Sequence, residues 1–391
     1  MKYRLLAPGP TPVPERVLTA MANPIWHHRT PAFEAILKDC QEGLQWLFQT
    51  EGDDDALVLS LASSGTGAME AAFQTFFAPG DTVITVGGGK FGERWGIMAN
   101  QLGLKAVVID VEWGRSVEIA AVEAALKEHP EAKAVVSVAS ETSTGVRQPY
   151  EAIGALTSKM DGCLNIVDGI TAVGVWDIQP KRDLIDVLIT GSQKAMMLPP
   201  GLAFVYANSR AWKRADDIGT GLGHYYFDLK KERKNQAKNT TAYTPAVSLF
   251  VGLKESLAMM KKEGREKLFA RHARMAKAAR RGAEALGLKL LAENPADSVT
   301  SVWAPDVVKP NGVVTGLRDR ANITIAGGQD ALKGKIFRLA HLGYFDEIDI
   351  LTTFGALEIV LRQEGYTDFA PGAGVGAASE ILAEGFVAND S

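Results

Sequence analysis

The chain has little cysteine, no long apolar run and little net charge, and each shortage argues against a class of protein. Its 391 residues include two cysteines, Cys40 and Cys163, with no C-x-x-C pair, so a disulfide framework or cysteine-rich zinc site is not expected. No window approaches about 18 uninterrupted apolar residues, and the N-terminal stretch has no signal-peptide core. A net charge of -4 gives no electrostatic reason to bind nucleic acid or anionic membranes. We therefore expect a cytoplasmic protein that binds neither.

Between residues 57 and 207, short β-branched runs alternate with amphipathic stretches. The strand candidates are LVLSLA, TVITVG, AVVIDV, AVVSVA, LNIVDG, VLITGS and LAFVYA. Helical patterns lie between them, over 67–77, 93–102, 119–127 and 150–160. Strands that are apolar on both faces and separated by helices are typical of a parallel sheet that is covered on both sides. The pattern predicts an α/β fold with a mostly parallel seven-stranded sheet sandwiched by helices.

The pattern changes after residue 245 to long helical segments, then short strands, then a last helix over 346–364. This order predicts a smaller α+β C-terminal domain. Four prolines between residues 8 and 14 favour an extended N-terminal arm. We place the arm at 1–20, the large domain at 21–255 and the small domain at 256–391. The glycine- and alanine-rich tail from residue 371 fits either a weak helix or an extension.

One motif favours a nucleotide. Residues 87–92, GGGKFG, match G-x-G-x-x-G, follow a predicted strand and precede a predicted helix, and Asp110 ends the next strand. Taken alone, this pattern indicates an NAD-dependent dehydrogenase. Glycine-rich turns are common at strand ends, so a simple tight turn is the alternative.

A second motif places a lysine where a charged side chain is unusual. Residues 191–201, GSQKAMMLPPG, place Lys194 between the end of the apolar run 185–190 and two prolines. Lysine is rarely buried without a partner. Lys194 is therefore either a surface residue without a particular role or a residue that takes part in catalysis.

Other strand ends carry polar groups. Asp168 closes LNIVD, where a carboxylate needs a cationic or hydrogen-bonding partner, and it is either a structural cap or the partner of a protonated ring nitrogen. Ser64, Gly65 and Thr66 begin a predicted helix, an arrangement that suits a phosphate or simple N-capping. Ser143, in SETSTG, either binds a ligand or belongs to a glycine-containing turn.

These positions together meet the needs of pyridoxal phosphate. Asp168 and Lys194 lie at successive predicted strand ends, and a possible phosphate site lies on an earlier one. The cofactor needs an amine for its aldehyde, a carboxylate for its ring nitrogen and an anchor for its phosphate. The order of these groups therefore favours pyridoxal phosphate over a nicotinamide cofactor.

An ordered set of longer motifs carries a family resemblance. APGPTPVP at residues 7–14, GSQKAMMLPPGLAF at 191–204 and KIFRLAHLG at 335–343 occur in one chain. The sequence resembles the class V aminotransferases, which are fold type I pyridoxal-phosphate enzymes, from residue 7 to at least 361. Within them it is similar to the alanine-glyoxylate, serine-glyoxylate and serine-pyruvate group.

The resemblance implies a reaction. It implies ping-pong transamination between a small amino acid, alanine or serine, and a 2-oxo acid, glyoxylate or pyruvate. Ureidoglycine-glyoxylate and aminoethylphosphonate-pyruvate transamination remain open on the same scaffold. Cysteine desulfurase is not expected, because neither cysteine lies in the predicted small domain.

The resemblance also assigns roles to residues around the cofactor. Lys194 would link covalently to the cofactor aldehyde and then move the substrate Cα proton. Asp168 would pair with the pyridine nitrogen, with Ile170 and Phe91 on the two ring faces. The phosphate would be held by Ser64, Gly65, Thr66 and Gln193.

Further roles concern the substrate and a second chain. Arg338 would bind the substrate carboxylate, and Ser143 would reach both the cofactor's phenolic oxygen and the substrate. Thr241 and Thr244, in NTTAYTP, would contact the phosphate of the neighbouring subunit, which implies a homodimer with a shared active site. No metal is expected, because no third ligand clusters near the adjacent His27 and His28.

Overall fold

The computed structural model describes residues 2–385. The helices are α1 Glu15–Met21, α2 Pro31–Phe48, α3 Gly65–Phe76, α4 Lys90–Gln101, α5 Ile119–Glu128, α6 Tyr150–Thr157, α7 Ser209–Ile218, α8 Leu229–Gln236, α9 Val247–Glu263, α10 Arg265–Ala285, α11 Gly312–Ala321, α12 Glu347–Gln363 and α13 Ala373–Ala383. The strands are β1 Arg4–Leu5, β2 Val58–Leu61, β3 Thr82–Val86, β4 Lys105–Ile109, β5 Ala134–Val138, β6 Ser140–Glu141, β7 Val146–Arg147, β8 Leu164–Asp168, β9 Val187–Gly191, β10 Ala203–Ala207, β11 Val299–Trp303, β12 Ile323–Thr324, β13 Ala326–Gly327 and β14 Ile336–Ala340.

The seven strands predicted from the sequence form one central sheet, in the order β2-β10-β9-β8-β5-β3-β4. Strand β10 runs antiparallel to both of its neighbours, and the other pairs are parallel. Except for the edge strand β4, every residue of these strands is buried. The prediction of a mostly parallel seven-stranded sheet is confirmed.

Helices cover both faces of the sheet. Phe73 of α3, Trp95 of α4 and Trp212 of α7 belong to one apolar cluster against the strands. Leu44 of α2 and Phe250 of α9 belong to a second cluster, which continues into the C-terminal part of the chain. The sheet therefore has a core on each side, as strands that are apolar on both faces require.

The C-terminal part contains a three-stranded antiparallel sheet, β11-β14-β13, with the long helices α10 and α12. Its tail forms helix α13, so the helix alternative is the correct one. The N-terminal arm is tied to this part, because β1 pairs in parallel with β12 and Arg4 lies opposite Ile323. The domain boundaries stay predictions, and the one at 255/256 falls inside α9.

The topology brings the polar strand ends together. Strands β2, β3, β5, β8 and β9 point the same way, so the residues that follow them meet at one edge of the sheet. These followers include Ser64, GGGKFG, Ser143 and Lys194. Across residues 2–385, no helix has the length and apolar character that a membrane crossing requires.

Candidate active site

Lys194 lies three residues beyond β9 and is half-buried. Its Nζ donates a hydrogen bond to the Pro8 carbonyl at 3.0 Å. Its own carbonyl accepts from Thr11 Oγ1 at 2.8 Å, so the arm holds this lysine at both ends. Burial lowers the pKa of Lys194 to about 8, helped by the positive charge of Arg338 and opposed by Asp168. A lysine with this pKa is neutral, and therefore nucleophilic, far more often than an exposed one.

Asp168 is the last residue of β8, next to β9, and is 2% exposed. Its Oδ1 accepts from the Ile170 backbone N–H at 3.0 Å, and its Oδ2 accepts from Trp95 Nε1 at 3.1 Å. Burial raises the pKa of Asp168, and these two donors together with the Arg94 and Lys194 charges oppose the rise. The site thus holds a buried carboxylate that a cationic ring nitrogen would stabilise.

The first turn of α3 forms the predicted phosphate cradle. Ser64 stands at the N-cap but makes no side-chain cap hydrogen bond, so N-capping by Ser64 is not observed. A Cβ on Gly65 would come within 2.4 Å of Ile170 Cδ1, so a larger residue there would require the Ile170 side chain to move. The Gln193 Oε1 atom is buried and has no hydrogen-bond partner. A Cβ added to Gly191 would lie within 3.5 Å of both this oxygen and the Gly65 N. The Gly65 N–H and the Gln193 Oε1 atom therefore border one small space.

The GGGKFG turn leads into α4, and the Glu141 carboxylate binds backbone amides of this turn. The backbone N–H groups of Phe91 and Gly92 donate to Glu141 Oε2 at 3.1 and 2.9 Å. A pyrophosphate would need these amides, but a carboxylate of the same chain occupies them. Asp110 is exposed beyond the end of β4. The turn thus does not support the dehydrogenase interpretation; it places the half-buried Phe91 at the sheet edge.

Ser143 is fully buried beside this turn. Its Oγ donates to Glu141 Oε1 at 2.6 Å and accepts from the Lys90 N–H at 3.0 Å. The Ser143 hydroxyl donates its proton to Glu141. The hydroxyl would therefore have to rotate in order to donate to the cofactor's phenolic oxygen. Burial raises the pKa of Glu141, and hydrogen bonds from Ser143 and Gly92 oppose the rise.

Arg338 reaches the same edge from β14. It is 6% exposed, and it donates from Nε to the Gly327 carbonyl and from a terminal nitrogen to the Thr142 carbonyl, both at 2.9 Å. Burial lowers its pKa to about 10, and the Glu141 charge opposes this. Buried guanidinium groups recognise carboxylates well, because two parallel hydrogen bonds are possible.

Two predicted residues stand outside this cluster. Thr241 is buried and donates its hydroxyl to the Tyr243 carbonyl at 2.6 Å, whereas Thr244 is exposed. No hydrogen bond within residues 2–385 joins either threonine to the residues around Lys194. His27 and His28 stack at 4.9 Å between ring centroids, and the described part of the chain contains no group of three metal-ligating side chains.

The structure adds residues that the sequence reasoning missed. Trp95 and Arg94 follow Phe91 by four and three positions on α4, a spacing that places them on the same helix face. Glu141 is an acid in a buried strand end, the same signal that identified Asp168. Pro8 had no such signal, because only its backbone carbonyl takes part.

A doubly covered parallel sheet with aspartate and lysine at adjacent strand ends is the architecture of a fold type I pyridoxal-phosphate enzyme. The sequence model of class V aminotransferases matches residues 4–342. The serine-glyoxylate aminotransferase of Methylorubrum extorquens is 34% identical over 395 residues, with 98% of this chain and 96% of the relative covered. The small subunit of a soluble hydrogenase from Synechococcus sp. is 43% identical over 385 residues, with 97% and 98% covered.

Structural comparison agrees with these matches. The crystal structure of ureidoglycine-glyoxylate aminotransferase from Bacillus subtilis superposes with a TM-score of 0.92 at 27% identity, over 98% of each chain. The chain belongs to the class V aminotransferases, which depend on pyridoxal phosphate. The predicted family, enzyme class and cofactor are confirmed.

The residues around Lys194 fit this cofactor. The uncapped first turn of α3 and the unpartnered Gln193 oxygen suit a polar group at the cradle. The space beside Gly9 is taken by the lysine itself, since a Cβ there would lie 2.0 Å from Lys194 Nζ. The acid, the amine and the cradle thus have the chemistry that the ring nitrogen, the aldehyde and the phosphate require.

Proposed function

We propose that this enzyme transfers an amino group from a small amino acid, alanine or serine, to glyoxylate or pyruvate in a ping-pong reaction. The observation that carries the proposal is that three ionisable side chains from different parts of the chain reach one edge of the sheet. Asp168 ends β8, and Lys194 follows the neighbouring strand β9. Arg338 of β14 donates to the Thr142 carbonyl, beyond the end of β5. Similarity to serine-glyoxylate and ureidoglycine-glyoxylate aminotransferases supports glyoxylate as the acceptor.

Each residue has a defined task in this proposal. Bound pyridoxal phosphate supplies an electron sink for the bonds at the substrate Cα. Asp168 holds the proton on the pyridine nitrogen, and Trp95 and the Ile170 amide keep its carboxylate oriented. Phe91 and Ile170 would hold the pyridine ring between them.

Arg338 fixes the substrate and Lys194 moves its proton. The guanidinium would grip the α-carboxylate of donor and acceptor in turn, which fixes the orientation of the Cα–H bond. Lys194, with a pKa of about 8, is able to accept that proton and return it at the cofactor C4′ carbon. Because donor and acceptor use the same arginine, they bind one after the other.

We further infer that two chains share each site. Ile25 and Tyr225 are 74% and 80% exposed, and Trp26 is 49% exposed, which is unusual for large apolar side chains. Arg29, close to this surface, donates to Thr240 Oγ1 at 2.7 Å and to the Thr241 carbonyl at 3.0 Å. A partner chain that covers this surface would meet Thr244, which supports a role for Thr244 at the partner's phosphate.

A panel of amino donors and 2-oxo acceptors tests the reaction. Purified holoenzyme is mixed with alanine, serine, aspartate, ureidoglycine or 2-aminoethylphosphonate, each with glyoxylate or pyruvate. The expected result is turnover with alanine or serine, with parallel double-reciprocal plots as acceptor concentration is varied. Loss of the visible cofactor band on adding donor alone reports the first half-reaction. No turnover with alanine or serine overturns the proposed donor, and turnover with ureidoglycine or 2-aminoethylphosphonate identifies the alternative.

A further inference from the structure

Arg94 is a half-buried cation near the centre of the site with no close counter-charge. Its terminal nitrogen donates to Thr66 Oγ1 at 3.1 Å, and its guanidinium lies 4.9 Å from the centroid of the Phe91 ring. No carboxylate among residues 2–385 forms an ion pair with it, and Asp168 acts on it only as a longer-range electrostatic interaction. A guanidinium has five N–H donors, so most of those of Arg94 remain available.

The charges around the site leave a place for an anion. Arg94, Lys194 and Arg338 face two buried carboxylates, Asp168 and Glu141. Glu141 accepts hydrogen bonds from the α4 amides and from Ser143. In the proposed function, Arg338 binds the substrate carboxylate. Arg94 is the cation of this group that contacts the α3 cradle, through its hydrogen bond to Thr66 Oγ1.

The contact between Arg94 and Thr66 also supports anion binding at this place. Because Arg94 donates to Thr66 Oγ1, the hydroxyl proton of Thr66 is left to donate to another acceptor. The face of the Phe91 ring restricts the position of the guanidinium. The Arg94 guanidinium and the Thr66 hydroxyl thus lie together at the first turn of α3, where the N-cap makes no side-chain hydrogen bond.

We propose that Arg94 is a further cofactor-binding residue, which binds the phosphate of pyridoxal phosphate together with Thr66 and the first turn of α3. The inference rests on the proposed assignment of Ser64, Gly65 and Thr66 to the phosphate. It gives α4 two tasks, since Phe91 contacts the ring and Arg94 binds the phosphate one helical turn further on. A phosphate dianion is strongly stabilised by a planar guanidinium.

The test compares pyridoxal phosphate with pyridoxal, which lacks the phosphate. Apoenzyme of wild type, R94Q and R94K is titrated with each compound, and binding is followed by quenching of tryptophan fluorescence. We expect R94Q to bind pyridoxal phosphate about 10- to 100-fold more weakly, the range for loss of a hydrogen bond to a charged group. Binding of pyridoxal should change less than about twofold, since it has no group to contact Arg94. R94K, which keeps the charge but loses the planar fork, should fall between R94Q and wild type.

R362Q is the matched control. Arg362 lies 4.9 Å from the centroid of the Phe369 ring, the same distance as in the Arg94–Phe91 pair, but in the C-terminal part of the chain. R362Q should bind both compounds as wild type does. Thermal unfolding of each apoenzyme checks that the variants fold, and R94K provides the comparison if R94Q does not.

Two outcomes would overturn the inference. If R94Q binds pyridoxal phosphate as tightly as wild type, Arg94 does not contact the phosphate. If R94Q weakens both compounds equally, Arg94 acts on Lys194 or Asp168 through its charge alone. Failure of the wild-type apoenzyme to bind pyridoxal phosphate would instead count against the proposed function, so the two failures are distinguishable.

Discussion

Trp95 donates its indole N–H to the buried Asp168 carboxylate at 3.1 Å, from the same helix that carries Phe91 and Arg94. The indole also packs edge-on against Phe73, with ring centroids 4.9 Å apart. In the proposed site, one helix would therefore position the Phe91 ring at a cofactor face and orient the Asp168 carboxylate at the pyridine nitrogen. A rotation of α4 would disturb both contacts together.

The first prediction concerns Trp95→Phe. The phenyl ring keeps the apolar packing but removes the hydrogen bond to Asp168. Loss of a hydrogen bond to a charged group costs about 1.5–3 kcal/mol, which corresponds to a roughly 10- to 100-fold decrease in kcat/KM. Steady-state kinetics measure this decrease, and a red-shifted or weakened cofactor band reports the changed ring environment.

Trp212→Phe is the control for that variant. Trp212 also donates its indole N–H, to the Ala207 carbonyl at 2.9 Å, and packs edge-on against Phe76. It makes the same kinds of contact away from Lys194. Equal kinetics for the two variants would show that the Trp95 hydrogen bond has no functional role.

The second prediction concerns Lys194→Ala. Without this amine, the protein should form no covalent bond with the cofactor that borohydride is able to trap, and transamination should fall by about 10²- to 10⁴-fold, the range for loss of a proton-transfer group. Mass spectrometry after borohydride treatment locates the label. Lys181→Ala is the control, because this lysine lies in an exposed ion pair with Asp53. A borohydride-stable label on Lys194→Ala protein would contradict the assignment.

The sequence predicted the sheet and much of the candidate site because both depend on local patterns. Apolar runs with flanking glycine identify parallel strands, and polar residues at their ends identify Asp168, Lys194 and the Ser64 turn. The strand bounds agree with the structure to within one or two residues, since each run ends where the polar residues begin. The assignment of Arg338 came from the family resemblance alone, because its burial depends on packing across the molecule.

The missed contacts all join distant parts of the chain. The Pro8 carbonyl accepts from Lys194, which is 186 positions away, and a backbone oxygen leaves no trace in a residue pattern. The Glu141 carboxylate accepts from the backbone amides of Phe91 and Gly92, about 50 positions earlier in the chain, and these amides likewise leave no trace in a residue pattern. Long-range backbone contacts depend on topology, which the spacing of residues does not encode.

The third prediction is a pH dependence. Lysine reacts with an aldehyde when neutral, and the pKa of Lys194 is lowered to about 8 by burial and by Arg338. The rate at which apoenzyme takes up pyridoxal phosphate covalently should therefore rise with pH and reach half its maximum near pH 8. An ordinary lysine would show no such midpoint until about pH 10.4. Stopped-flow absorbance measures the rate, and a profile that rises steadily past pH 9 would contradict a depressed pKa.

The fourth prediction concerns Arg338→Gln. Removing the guanidinium should raise KM for donor and acceptor alike, by roughly 10- to 100-fold, because each loses a charged hydrogen-bond partner. The same change removes a positive charge that lowers the pKa of Lys194, so the pH midpoint of cofactor uptake should move upward.

Arg338→Lys and Arg318→Gln complete that test. Lysine restores the charge but not the two parallel hydrogen bonds, so the pH midpoint should recover while KM stays high. Arg318 is exposed and pairs with the adjacent Asp319, so its variant should match wild type. An unchanged KM in Arg338→Gln would remove Arg338 from the substrate site.

The fifth prediction tests the shared active site by mixing inactive chains. Lys194→Ala inactivates a chain's own site, and Thr244→Asp would place a negative charge against the partner's phosphate. Each proposed site combines Lys194 of one chain with Thr244 of the other. In a mixed dimer, one site therefore contains both substitutions, and the other site contains neither. Random reassociation makes half of the dimers mixed, so about a quarter of wild-type activity should return.

Lys194→Ala mixed with Arg338→Gln provides the contrast. Lys194 and Arg338 of one chain reach the same edge of the sheet, so in the proposed site each mixed dimer would still have a defect in both sites. Recovery with Thr244→Asp but not with Arg338→Gln therefore requires that Thr244 acts across the interface. If folded Lys194→Ala and Thr244→Asp chains form mixed dimers without regaining activity, each site is complete within one chain.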